Sequence, residues 1–310
     1  MPVAAKAYTS MANLGWGFDA FGLTIDVGFD VVVVDAAIAP GVTLTVEGVG
    51  VGQVPANPQQ NTAGLALLAL LERHAAGRGL HAVVRKGIRH GSGMGSSAAS
   101  AAAAVLAANV LMNLNLTPTQ MIECAAEGER AAAGTAHADN VAPALLGGFT
   151  IVEKGPPLTI TRLPAPADLR LAVVTPEIVV PTSVARQRMP KEIPLGVYAQ
   201  GAARCGAIVA AILTNDMTAL GRAVEGSFTD AARGPLIPGY DAVCAAARSA
   251  GAAGVTISGA GPTVAAIVPP NADADAVVRA MVRAFHDAGL QSDGRVARPA
   301  PGAEILEAVP

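Results

Sequence analysis

The stretch "GSGMGSSAAS", Gly91 to Ser100, holds three glycines and four serines and leads straight into a run of alanine. Glycine carries no Cβ, so its backbone N–H groups can come close to a ligand. A helix that starts immediately after such a loop adds the positive end of its dipole and its unpaired first N–H groups. Together these features make an anion site suited to phosphate. Ser96 and Ser97 fall at the helix start, where their hydroxyls can cap the helix, bind phosphate or ligate Mg2+.

Two familiar phosphate loops do not fit. A Walker loop ends in Gly-Lys-Ser/Thr, whereas Ser96 follows Gly95 directly. The dinucleotide fingerprint needs a third glycine where Ser96 stands and an acid about 20 residues on, and "NVLMNLNLT" offers none.

Outward from the loop, the pattern is mixed. "FDVVVVDAA" and "VTLTVEGV" read as strands, as does "HAVVRKG" just before the loop. Helices are expected over about 62–76, 97–114 and from Thr117 to about Ala133. "TPTQ" gives that last helix its cap, with Pro at the first position and Gln at the third. "EKGPPLTITRLPAPADLR" concentrates Pro and Gly, placing a domain boundary near 155–168. Beyond it, "RLAVVTP", "GVTISG" and "TVAAIVPP" read as strands, with helices at about 195–213, 217–226, 240–250 and 272–288. Strands and helices segregated in this way indicate an α+β fold in two domains, 1–160 and 161–310.

Composition narrows the function classes. The chain has 310 residues, 52% hydrophobic and 15% charged, which excludes a disordered chain. Aromatics are 3% and net charge is −3, so neither a basic footprint nor a stacking platform for nucleic acid is expected. Cys124, Cys205 and Cys244 lack disulfide or zinc spacing and read as reduced thiols. The apolar stretch Ala98–Leu114 is mostly alanine with Ser100, Asn109 and Asn113, so it reads as a buried helix rather than a membrane span. No basic patch with an apolar core opens the chain, and a cytoplasmic protein is the expectation.

Three motifs, in order, resemble those of the GHMP kinases, the superfamily of galactokinase, homoserine, mevalonate and phosphomevalonate kinases. They are "ANLGWGFD" (Ala12–Asp19), "GSGMGSSAAS" and "SGAGPT" (Ser258–Thr263). "HADNVAPALLGGF" (His137–Phe149) and "ARGPLIPGY" are similar to the homoserine-phosphorylating branch. The resemblance spans nearly the whole chain. It implies a ribosomal protein S5 domain 2-like N-terminal domain, a ferredoxin-like C-terminal domain, and ATP with Mg2+ as cofactors. It also implies phosphorylation of the homoserine hydroxyl to O-phosphohomoserine on the way to threonine. Another small alcohol, or a sensor that binds ATP and a metabolite without turnover, stays open as an alternative.

Residue by residue, the match assigns the ATP phosphates to Gly91, Ser92, Gly93, Met94, Gly95, Ser96 and Ser97, and Mg2+ to Ser97 with Glu129. Asn61 matches an adenine-contacting asparagine and is equally placed to cap the helix from Thr62. Lys86 is a nucleotide contact or a surface lysine. For an amino-acid substrate the match gives Asn13, Asp19, His137, Arg186 and Arg233. Two arginines can fork a carboxylate, and Asp19 can hold an ammonium. Asp139 and Asn140 are the catalytic candidates, with Asp139 a base or a positioning group. Met11 and Trp16 depart from the family pattern beside the expected substrate pocket, which bears on substrate identity. The expected partners are small molecules, with a homodimer open and neither nucleic acid nor membrane.

Overall fold

The computed structural model describes residues 1–307. A hairpin of β1 (Val3–Asn13) and β2 (Gly17–Ala37) organises the first sheet. β2 is interrupted where the register jumps from Tyr8–Phe29 to Thr9–Ile25. Its two halves therefore take different partners. Val31–Ala37 pairs with β4 (Gly79–Lys86), which pairs in parallel with β3 (Gly41–Gly48). Phe21–Leu23 pairs with β5 (Phe149–Glu153), which pairs with β6 (Thr159–Leu163). The unbroken "VVVV" run is buried on both faces. Val32 and Val34 point into the main core, while Val31 and Val33 join Ala4 in a small cluster on the far side.

Helices α1 (Thr62–His74), α2 (Ser96–Leu111), α3 (Pro118–Gly128), α4 (Arg130–Ala133) and α5 (Val141–Leu146) complete this half. The alanine-rich α2 is its centre, packed against β1, β2, α1, α3 and α5. Small side chains allow that many close neighbours, and a helix apolar all round is a buried one. The expected helix to Ala133 is instead broken at Glu129. Thr117 forms the expected capping box with Gln120.

The second sheet is antiparallel in the order β10 (Ser292–Ala297), β7 (Arg170–Pro176), β9 (Val264–Val268), β8 (Gly254–Ile257). Between β7 and β8 run α6 (Thr182–Gln187), α7 (Leu195–Thr214), α8 (Met217–Val224), α9 (Phe228–Arg233) and α10 (Tyr240–Ser249), and α11 (Ala274–Asp287) links β9 to β10. With α10 and α11 packed together beside the sheet, this is the β-α-β-β-α-β ferredoxin-like arrangement. The chain passes between sheets from Leu163 to Arg170, then returns. Asp26 and Thr24 bond Arg298 and Ala300, and β11 (Glu304–Ile305) pairs with β1. Leu171, Val173 and Ile267 of the second sheet share one core with the first. Among the described residues, α7 is the helix long and apolar enough to cross a membrane by length and composition, and it is mostly exposed here. The stretch singled out from sequence forms α2, whose alanines are buried.

Candidate active site

The loop between β4 and α2 is held from two sides. Gly91, Gly93 and Gly95 have φ of +69°, +79° and +64°, the left-handed region that glycine tolerates. A Cβ on Gly93 would lie 2.6 Å from the Gly261 carbonyl oxygen and 2.7 Å from that of Ser258. The loop therefore lies flush against "SGAGPT" of the other sheet. Ser258 Oγ donates to the Gly93 carbonyl (2.7 Å) and Thr263 Oγ1 to that of Ser92 (2.6 Å). Ser96 spends its hydroxyl on the Ile88 carbonyl (3.1 Å), closing the loop on itself.

Beneath the loop lies an ion pair that sequence reading missed. Lys86 is not a surface lysine: it is buried and lines the cavity. Its ammonium pairs with the fully buried Asp30 and donates to the Ser96 carbonyl (2.9 Å) and Ser100 Oγ (2.8 Å). Ser100 also donates to Asp30, whose other oxygen accepts from the N–H groups of Gly87 and Ile88. Asp30 thus grips the start of the loop and Lys86 its end. Met94 turns away, buried in the core.

Ser97 Oγ donates to Glu129 Oε2 (3.1 Å), and Glu129 Oε1 is buried with no partner. Burial pushes the Glu129 carboxyl up to about 7, with Ser97 opposing and nearby Asp139 assisting. An unsatisfied buried carboxylate oxygen beside a hydroxyl suits a hard divalent cation. Asn61 caps α1, accepting from Ala63 and Gly64, while its amide donates to the Pro55 carbonyl. It also lines the cavity, so its two expected roles remain compatible.

The substrate side grows from the β1–β2 turn. Asn13 (φ +71°), Leu14 (+46°) and Asp19 (+57°) all adopt left-handed backbone, unusual for residues other than glycine. Asn13 Oδ1 accepts from the Asp19 N–H (3.1 Å) and its Nδ2 donates to the Gly259 carbonyl (3.0 Å). Asp19 pairs with Arg186 and with Lys154, each at 2.8 Å. Lys154 was not singled out, since a lysine closing a strand before "GPP" reads as an ordinary surface residue. Arg233 is buried and donates to the Gly259 carbonyl (2.6 Å). The Nε atoms of both Arg186 and Arg233 are buried without partners.

His137 lies between Thr135 Oγ1 (2.7 Å) and the Arg186 guanidinium (3.5 Å). Burial and then Arg186 hold it down to about 4, so it is neutral at neutral pH. Asp139 is buried, and burial and then Asp19 raise it to about 6. Asn140 Oδ1 accepts from Ser10 Oγ (3.0 Å). Met11 and Trp16 do not line the cavity, although Met11 directly precedes the lining residues Ala12 and Asn13. Met11 is in the core, and Trp16 is buried with its Nε1 donating to the Glu225 carbonyl (2.9 Å).

A single cavity of about 410 Å³ collects these groups. Every residue expected at the site lines it except Met94. Its walls include the charge-free glycine loop, Ser97 and Glu129, and the charged side chains of Asp19, Arg186 and Arg233.

Residues 61–148 match the GHMP kinases N terminal domain, and residues 208–287 match GHMP kinases C terminal. The homoserine kinase of Halobacterium salinarum is 42% identical over 308 residues, 99% of this chain and 98% of that protein. That of Methanocella arvoryzae is 37% identical over 304 residues, 98% and 97% of the two chains. The crystal structure of homoserine kinase from Cytophaga hutchinsonii superposes with a TM-score of 0.91 at 35% identity, covering 98% of this chain and 97% of that one. With such identity running through both domains and the motifs meeting in one cavity, this chain belongs to the GHMP kinases, among the homoserine kinases.

Proposed function

We propose that the protein transfers the γ-phosphoryl group of ATP to the side-chain hydroxyl of L-homoserine, giving O-phospho-L-homoserine. The observation that carries this reading is the pair of cavity-lining arginines, Arg233 buried and Arg186 half-buried, whose Nε atoms are buried without partners beside the Asp19 carboxylate. Buried donors without partners are costly, and a substrate carboxylate would satisfy both. Asp19 then faces the substrate ammonium, and Asn13 and Asp139 the hydroxyl. An α-amino acid with a terminal hydroxyl has that charge layout.

The N–H groups of Gly91–Ser97 and the start of α2 receive the triphosphate. Ser97 and Glu129 would hold Mg2+, which neutralises phosphate charge when bound. Loss of the Glu129 proton accompanies loading, because its carboxyl is raised to about 7 without metal. The hydroxyl oxygen bonds to the γ-phosphorus as the bond from that phosphorus to the β–γ bridging oxygen breaks; ADP leaves, and the hydroxyl proton passes to an oxygen of the transferred phosphoryl group. Asp139 accepts a hydrogen bond from the hydroxyl and aligns it. Such transfers depend mainly on alignment and charge neutralisation.

The test is a panel of hydroxylated substrates with ATP and Mg2+, scored by ADP release. Homoserine should turn over faster than mevalonate, shikimate or galactose. Faster turnover of an alcohol that is not an amino acid would overturn the assignment.

A further inference from the structure

The motif "GWGFD" contains a residue to which neither the reaction nor the resemblance gives a task. Phe18 is half-buried, and its ring lies under both site arginines. Arg186 Cζ is 5.6 Å from the ring centroid and Arg233 Cζ is 5.4 Å. Both distances are within the range where a ring face attracts a cation. The edge of the Phe228 ring meets Phe18 at 6.0 Å, and Trp16 meets Phe228 at 6.1 Å. Phe228 opens α9, the helix that ends in Arg233. In a chain with one tryptophan and six phenylalanines, three of those rings meet edge-to-face here.

The electrostatics explain why a ring is useful. Two guanidinium groups converge in a partly desolvated space, and each disfavours the other. Burial and then Arg186 lower the Arg233 pKa from its ordinary value. Arg186 has Asp19 as its anion. Arg233 has no ion pair among the described residues and is held by a single carbonyl. A second carboxylate would hold Arg233 firmly, but it would also occupy the N–H groups that a substrate carboxylate needs. A ring face attracts the guanidinium through its quadrupole and uses none of those N–H groups.

We infer that Phe18 is a positioning residue for the substrate carboxylate: its ring holds Arg186 and Arg233 without using any of their N–H groups and so leaves their Nε donors free. The inference rests on the reading that the two arginines bind a carboxylate.

The test compares Phe18→Leu, Phe18→Tyr and pentafluorophenylalanine incorporated at position 18. Leucine keeps an apolar filler without a π face. Tyrosine keeps the face. The fluorinated ring keeps the shape and reverses the quadrupole, which separates electrostatics from packing should the leucine variant fold poorly. Phe18→Leu and the fluorinated protein should raise the KM for homoserine roughly tenfold while kcat changes less than about threefold. The KM for ATP should hold, as should that for 3-aminopropan-1-ol, which lacks the carboxylate. Phe18→Tyr should restore homoserine to within about threefold of wild type. An unchanged homoserine KM in the fluorinated protein overturns the inference, and so does a parallel rise for homoserine, aminopropanol and ATP. If the wild type does not prefer homoserine to aminopropanol, the carboxylate reading itself fails, whatever the variants do.

Discussion

Replacing Lys86 with methionine tests whether the buried ion pair under the glycine loop is a clamp or a nucleotide contact. Lys86→Met keeps the aliphatic stem and deletes the ammonium. Asp30 is then a fully buried carboxylate without a cation, though it still accepts from Gly87, Ile88 and Ser100. Removing one partner of a buried pair costs about 3–5 kcal/mol. Three remaining donors put this case at the low end, about 3 kcal/mol. Adding Asp30→Asn removes the orphaned charge while the amide oxygen still accepts from Gly87 and Ile88. The double variant should regain about 2 kcal/mol over Lys86→Met alone. Urea unfolding followed by circular dichroism measures this, with a second probe to confirm one transition across the continuous core. ATP affinity, measured by calorimetry, makes the distinction. A clamp predicts weaker binding in Lys86→Met and partial recovery in the double variant, because the loop is braced again. A direct contact predicts equal loss in both. A cost below about 1 kcal/mol, or losses that simply add in the double variant, would refute the reasoning.

Glu129→Gln preserves shape and removes charge, so kcat should fall on the order of 100-fold, about 2.7 kcal/mol, with the fold retained; wild-type rates at limiting Mg2+ would exclude the ligand role. In metal-free protein, Glu129 and Asp230 sit at about 7 and Asp139 at about 6, all raised by burial. The folded state therefore keeps protons that the unfolded state releases, and stability should fall as pH rises from about 4 to 7, then level off. Thermal melts in chelator should show this slope, shallower in Glu129→Gln; an equal slope would remove Glu129 from the account. For Asp139→Asn, alignment without base chemistry predicts a modest loss and an unchanged pH–rate profile, whereas a loss of about 10²–10⁴ with a flattened acid limb near pH 6 would establish a general base.

What the sequence disclosed was what local chemistry determines. The Thr117 capping box, the alanine helix and the glycine loop each depend on residues within a few positions, and each formed where expected. The second half of β2 reads as a strand in "FDVVVVDAA", but the division of β2 between two partner strands depends on a register jump with no local signal. The Asp30–Lys86 pair joins residues 56 apart that neighbour only because β2 pairs with β4. Met94 sits inside the phosphate motif and still points into the core, because motif membership fixes backbone path and not side-chain direction. Trp16 attracted attention as a departure from the family pattern, yet its neighbour Phe18 is the ring that touches the arginines.

The same contrast explains why the substrate end needs both halves of the molecule. Left-handed backbone at a non-glycine residue costs of order 1–3 kcal/mol where nothing compensates, so Asn13, Leu14 and Asp19 require support from outside the turn. That support comes across the cavity. Asn13 donates to Gly259, Thr229 Oγ1 donates to the Gly15 carbonyl at 2.9 Å, and the Gly259 N–H donates to the Ala12 carbonyl at 3.2 Å. Both partners, Gly259 and Thr229, belong to the second half of the chain. The turn that aims Asp19 and the helix that carries Arg233 therefore hold each other in place. A change that loosens α9 should shift Asn13 and Asp19 as well as Arg233, so the carboxylate and ammonium ends of the proposed substrate would be lost together.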